Sequence, residues 1–149
     1  MILFCVSGLF AQAPKLELTV IEKKMNMTQI EKMGKAKISY KPGDIIKYTV
    51  LAQNTGKGEM TQPVITDPIP LGVAYKPHSA KGQQAVIKYS IDGGEKFQSW
   101  PPKYKIKDKN GQSVRKVASP DMITHIRWEL KKSLASNESK ELEFEVIVK

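Results

Sequence analysis

The chain has 149 residues, 24 Lys+Arg against 15 Asp+Glu, a formal net charge of +9 and a single cysteine. That length is about one domain, with apolar content for one core. The cationic excess is nearly all lysine, since Arg115 and Arg127 are the only arginines, and arginine is the residue suited to bidentate contact with phosphates and base edges. The surface therefore reads as soluble and weakly attractive to polyanions, and nucleic acid is not an expected partner.

The first segment, "MILFCVSGLFAQA", is apolar from Met1 to Phe10 and then offers Ala11-Gln12-Ala13. This is the length of a signal-peptide apolar region before a small-residue cleavage site, and too short for a transmembrane helix. The expectation is a signal peptide over 1–13 and a mature domain over 14–149 with no transmembrane helix. Pro14 would hinder a cut after Ala13, so a cut after Ala11 is the alternative. Either cut removes Cys5, and with it disulfide exchange, cysteine metal sites and cysteine nucleophiles; the exported domain must be held by core packing.

The next stretch, "LELTVIEK", alternates, with Leu16, Leu18 and Val20 on one face. The spacing in "MNMTQIEKM", residues 25–33, suits a short helix or a bulged loop. Pro42-Gly43-Asp44 suits a type II turn, proline at its second position and glycine at its third. It leads into "IIKYTVLAQN", where Ile46, Tyr48, Val50 and Ala52 share a face. Asn54-Thr55-Gly56 marks the following turn. In Asp67-Pro68-Ile69-Pro70-Leu71-Gly72 neither proline can donate to a ladder, so pairing ends and the chain can cross between sheets.

Farther on, "AVIKYSI" and "KFQSW" flank the Asp92-Gly93-Gly94-Glu95 turn. "KYKIKDK" and "QSVRKV" flank Asn110-Gly111, a hairpin signal whose two central positions both take positive φ. "MITHIRWEL" sets Thr124, Ile126, Trp128 and Leu130 on one face. In the last segment Leu142, Phe144, Val146 and Val148 alternate with Glu141, Glu143 and Glu145, an acidic stripe that marks a solvated strand face. Nothing between Lys35 and Lys149 sustains a helical period. The reading is an all-β chain, seven to nine short strands in an antiparallel two-sheet β-sandwich.

Residues 40–80 carry Pro42-Gly43-Asp44, a strand with Tyr48-Thr49, Asn54-Thr55-Gly56, and Thr66-Asp67-Pro68-Ile69-Pro70-Leu71-Gly72, in that order. This arrangement resembles the bacterial and archaeal conserved repeat domain, the family called domain of unknown function eleven. The resemblance implies an immunoglobulin-like sandwich in exported or surface proteins, often in tandem copies.

Several stretches invite a functional reading. Ser90-Ile91-Asp92-Gly93-Gly94-Glu95-Lys96-Phe97 is similar to the Asp-box of sialidases and related propellers. That box is a structural turn repeated once per blade, whereas here it stands once in a chain too short for a propeller. It is read as a turn in which Asp92 accepts backbone N–H groups, Gly93 and Gly94 supply positive φ, and Phe97 and Trp100 cover the hairpin. Phe97, Trp100 and Tyr104 suit either a platform for a sugar ring or proline-rich peptide, or core packing, and packing is favoured.

The hairpin from Lys103 to Lys116 carries Lys103, Lys105, Lys107, Lys109, Arg115 and Lys116 against Asp108. It suits an anionic envelope polymer such as teichoic acid, lipopolysaccharide or an acidic polysaccharide. Alternatively, its lysines guard a strand edge against pairing. Met25, Met27, Met33, His78 and His125 are ligand types that suit copper, although methionines more often fill core gaps. An isopeptide between Lys23 or Lys24 and Asn54 or Asn137 would need a buried carboxylate to shift the lysine toward its neutral form. No phosphate cradle, paired-histidine motif or nucleophile elbow is present. The expectation is a non-enzymatic exported module without cofactor or metal, binding an envelope protein or polymer or giving structural support in the envelope or periplasm. The alternative is a small periplasmic protein that binds copper or an anionic glycan.

Overall fold

The structure, a computed structural model, describes residues 13–34 and 37–149. The expected signal segment, up to Gln12, lies outside the described residues. Among the described residues ten strands alternate between two antiparallel sheets and a separate ribbon: β1 (Leu16–Lys24), β2 (Ile45–Asn54), β3 (Val64–Pro68), β4 (Val73–Tyr75), β5 (Lys81–Gly82), β6 (Ala85–Ser90), β7 (Lys103–Lys107), β8 (Ser113–Val117), β9 (His125–Leu130) and β10 (Ser139–Val148). Eight of them have five residues or more; β4 and β5 are short additions on the flank of β10.

One sheet runs in the order β1-β2-β10-β4, with β5 also against β10, and the other in the order β3-β9-β6. Neither closes into a barrel, and the chain is an antiparallel β-sandwich. Its first crossing back, from β3 to β4, falls at Pro68-Ile69-Pro70-Leu71-Gly72, where the prolines end the ladder and Gly72 takes φ 83°. Among the described residues no helix is long and apolar enough to cross a membrane. The segment 25–33 holds one short helix, α1 (Gln29–Lys32), capped reciprocally by Thr28 and Glu31.

Strand alternation builds the core. Ile46, Tyr48, Val50 and Ala52 of β2 and Leu142, Phe144 and Val146 of β10 are buried against Ile65, Ile126, Trp128 and Leu130 of the smaller sheet. Tyr48 stacks on Phe144 with centroids 5.1 Å apart, and Phe144 meets Trp128 at 6.0 Å. The indole N–H of Trp128 donates to the Lys81 carbonyl at 3.1 Å, so its burial leaves no polar atom unmatched.

Two expectations are corrected. "KFQSW" is not a strand: it meets β6 only at the Tyr89–Gln98 bridge, because Trp100 turns inward onto Tyr75 and Tyr89. The middle of the inward face of β1 is not covered: Leu16 packs against the core and Lys24 is buried, but Leu18 and Val20 are exposed although they share a side with buried Ala52 and Val50. The smaller sheet does not reach over the middle of β1, and Leu18 and Val20 stay 44% and 51% exposed.

Candidate functional site

Strands β7 and β8 pair only with each other, as a ribbon outside both sheets. The lysines therefore stand on the ribbon's own strands and not on an edge strand of either sheet. Partners in the register point the same way, which puts Lys103, Lys105 and Lys107 on one face together with Arg115, opposite Lys105. All four are exposed. The other face carries half-buried Tyr104, Ile106 and Val114, with exposed Lys116 beside them, and Lys109 stands in the tip. Of six expected cationic residues, the fold gathers four on one face.

Bonds at both ends of the ribbon, Asp108 N–H to Gln112 at 2.9 Å and Ala118 N–H to Pro102 at 2.9 Å, place Lys105 and Arg115 in a non-hydrogen-bonded pair. In such a pair Cα atoms approach to about 4.5 Å, and like charges directly opposite are destabilising. The only ribbon acid, Asp108, is committed to the turn, where Oδ1 accepts the Asn110 and Gln112 N–H groups at 2.9 and 2.8 Å. Among the described residues none of the six cations has a carboxylate partner, whereas Lys47, Lys76, Lys88 and Lys140 each do. The face is an uncompensated cation array, and an anion set between Lys105 and Arg115 would relieve their repulsion.

The tip differs from the expected two-residue turn. Only Gly111 has positive φ, 76°, and its N–H bonds the Asp108 carbonyl at 3.0 Å. Lys109, Asn110 and Gly111 form a three-residue loop, a turn followed by a left-handed glycine. The Asp108 carboxylate selects it by accepting two loop N–H groups.

The remaining candidates are dispersed. Phe97 lies beneath the Arg127 guanidinium, 3.5 Å from carbon to ring centroid. Trp100 packs edgewise on Tyr75 and Tyr89, and Tyr104 is on the ribbon, so the three aromatics make no common platform. The Asp92 turn forms as expected: Oδ1 takes the Ser90 hydroxyl at 2.7 Å and the Lys96 N–H at 3.0 Å, with Gly93 at φ 77° and Gly94 at 90°. Met25 and His78 line one cleft of ≈ 290 Å³, while His125 lines another beside Pro68 and Pro70. Burial raises the Asp67 carboxyl above its ordinary value, with His125 acting against it. The acidic stripe is partly neutralised, Lys47 pairing with Glu143 and Lys76 with Glu145.

The Pro-Gly-Asp and Asn-Thr-Gly elements have structural roles. Asp44 closes the expected turn, its N–H bonding Lys41 at 3.0 Å around Gly43 at φ 90°. The Asn54 amide is buried and saturated: Oδ1 accepts Lys15 and Gly56 N–H groups, and Nδ2 donates to the Gly58 and Leu134 carbonyls. A Cβ on Gly56 would run into the backbone of Ala13, Pro14 and Lys15. Lys24 is opposite Ile46, eight residues along β2 from Asn54, a separation of roughly 27 Å at 3.4 Å per residue. Asn137 bonds Asn54 at the same far end. An isopeptide from Lys23 or Lys24 to either asparagine is thereby excluded.

Lys24 instead joins a buried cluster that periodicity does not reveal. Its ammonium lies 3.1 Å from Glu31, 3.0 Å from Asp44 and 2.8 Å from the Ser39 carbonyl. Burial works to lower the lysine's pKa, but the hydrogen bonds it donates to Asp44 and Glu31 prevail and hold it raised. Burial likewise works upward on Asp44, and Lys24, the Lys41 N–H and Asn26 hold it lowered. Glu31 is held at about 2, first by the Thr28 N–H and then by Lys24. All three stay charged, which suits a clamp that ties the end of β1 to α1 and to the turn before β2, and not a nucleophilic amine. The Thr28-x-x-Glu31 capping pattern was the available sequence signal.

No family model matches this chain, and no curated protein matches it either.

Proposed function

We propose that this protein is a non-enzymatic exported β-sandwich of the cell envelope or periplasm that binds an anionic envelope polymer through its lysine ribbon. The observation that carries the reading is the exposed face of Lys103, Lys105, Lys107 and Arg115 without a carboxylate counterpart among the described residues. Export rests on the apolar leader and its Ala-Gln-Ala site. Relation to the conserved repeat domain family belongs to the same proposal and rests on the order of its four motifs between residues 40 and 80.

Charge capture is strongest where screening is weakest. Teichoic acid should bind the purified protein at low ionic strength while uncharged dextran does not, and Lys105→Glu with Arg115→Glu should abolish the binding. No teichoic acid binding at low salt removes the proposal. A second reading, copper binding, rests on Met25 and His78 lining one cleft; a Cu(I) titration without uptake removes it.

A further inference from the structure

Strand β1 ends the larger sheet, and its nine residues pair with β2 without interruption. Its other edge has no backbone partner among the described residues. The end bonds, Thr55 N–H to Lys15 at 2.8 Å and Met25 N–H to Ile45 at 2.8 Å, assign the odd-numbered residues of β1 to β2. By the alternation of an antiparallel ladder, Leu16, Leu18, Val20, Glu22 and Lys24 direct their N–H and C=O groups outward. The central residues Leu18 to Ile21 carry no charge, proline or bulge, the usual guards of an edge, and Leu18, Val20 and Ile21 are 44%, 51% and 55% exposed.

The edge is self-complementary. Two copies related by a twofold axis at Val20 align the exposed stretch from Glu17 to Lys23 with itself. Val20 then faces Val20 of the second copy and Leu18 faces Glu22, while Lys24, buried under Glu31, Asp44 and the Ser39 carbonyl, lies beyond the end of the paired stretch. These are all even-numbered residues, the ones whose backbone groups point outward, so the hydrogen-bonding phase is correct. The same register sets Glu17 opposite Lys23 of the second copy, and by symmetry Lys23 opposite its Glu17. Both occupy non-hydrogen-bonded positions, where side chains are closest. Moving the axis to Thr19 or Ile21 keeps the phase but loses both ion pairs. Glu22 is already engaged by Tyr40 and Tyr48, so it faces Leu18 with its carboxylate occupied.

We infer that the protein forms a homodimer by antiparallel β1–β1 pairing about Val20, joining the larger sheets of two copies. The inference is independent of the ribbon, which lies on other strands. Sedimentation equilibrium of the full chain over a concentration series tests it. Glu17→Lys and Lys23→Glu, both at exposed positions, should each turn two attractive pairs into repulsive ones and weaken the dimer by roughly tenfold. The double variant should restore it, while thermal melts confirm that all three variants fold. A monomer at every concentration overturns the inference. So does a dimer indifferent to the single swaps, or one that the double swap fails to restore.

Discussion

The ammonium nitrogen of Lys24 lies 3.0 Å from Oδ2 of Asp44, and each side chain is only 2% exposed. This pair joins the end of β1 to the turn that starts β2, and Glu31 lies 3.1 Å from the same ammonium. Removing one member of a buried pair leaves an uncompensated charge, whereas exposed pairs contribute little. Asp44→Ala should therefore lower the thermal midpoint several times more than Lys88→Ala, which removes a half-exposed pair with Glu129. Equal losses in differential scanning calorimetry would count against the clamp.

The same cluster fixes a pH response. Glu31 has an ordinary value of 4.5 and is held at about 2 in the fold. Its depressed value contributes stability in full above 4.5 and loses it as pH falls toward 2. Lys24 is raised above 10.5, so its contribution is complete below that value and fades as pH climbs through the folded one. The midpoint should fall on the acid side between pH 4.5 and 2, and Glu31→Gln should flatten that limb while lowering the neutral-pH midpoint.

Ribbon binding should follow counterion release. Each cation that meets a polymer charge contributes close to one unit to the slope of log affinity against log salt, so Lys105→Ala should reduce the slope by about one. Lys116→Ala, on the opposite face, should leave it unchanged. Titrations at several salt concentrations read both slopes.

At the ribbon tip, Gly111→Ala forces a left-handed backbone on a residue with a Cβ and should cost about 1–2 kcal/mol. Asn110→Ala should cost less, because Asn110 is not at positive φ. A two-residue turn with both positions left-handed would make the two losses comparable. Urea denaturation distinguishes the outcomes.

Gly56→Ala should destabilise the chain because its Cβ enters the backbone of residues 13–15. In a chain beginning at Leu16 the same substitution should be much less costly. A penalty that persists after truncation would place its origin elsewhere.

The strands of the core were legible because one face of each is buried: Ile46, Tyr48, Val50 and Ala52, or Leu142, Phe144 and Val146, announce themselves by a period of two. Local turn chemistry was legible for the same kind of reason, since Gly43 and Gly93 take conformations that a Cβ disfavours. The tip of the ribbon was misread because Asn-Gly fits two turn types, and the choice rests with the carboxylate of Asp108.

What the sequence determined by itself was the all-β class, the buried faces of the central strands and the concentration of lysine around residues 103–116, since all three are local patterns. Only the tertiary structure decided that Lys24 meets Glu31 and Asp44, that four cations share one face of a ribbon outside both sheets, and that Leu18 and Val20 remain uncovered. Alternation tells which way a side chain points within its strand. Whether another layer stands there depends on how far the facing sheet reaches, and that is set by pairings between residues distant along the chain.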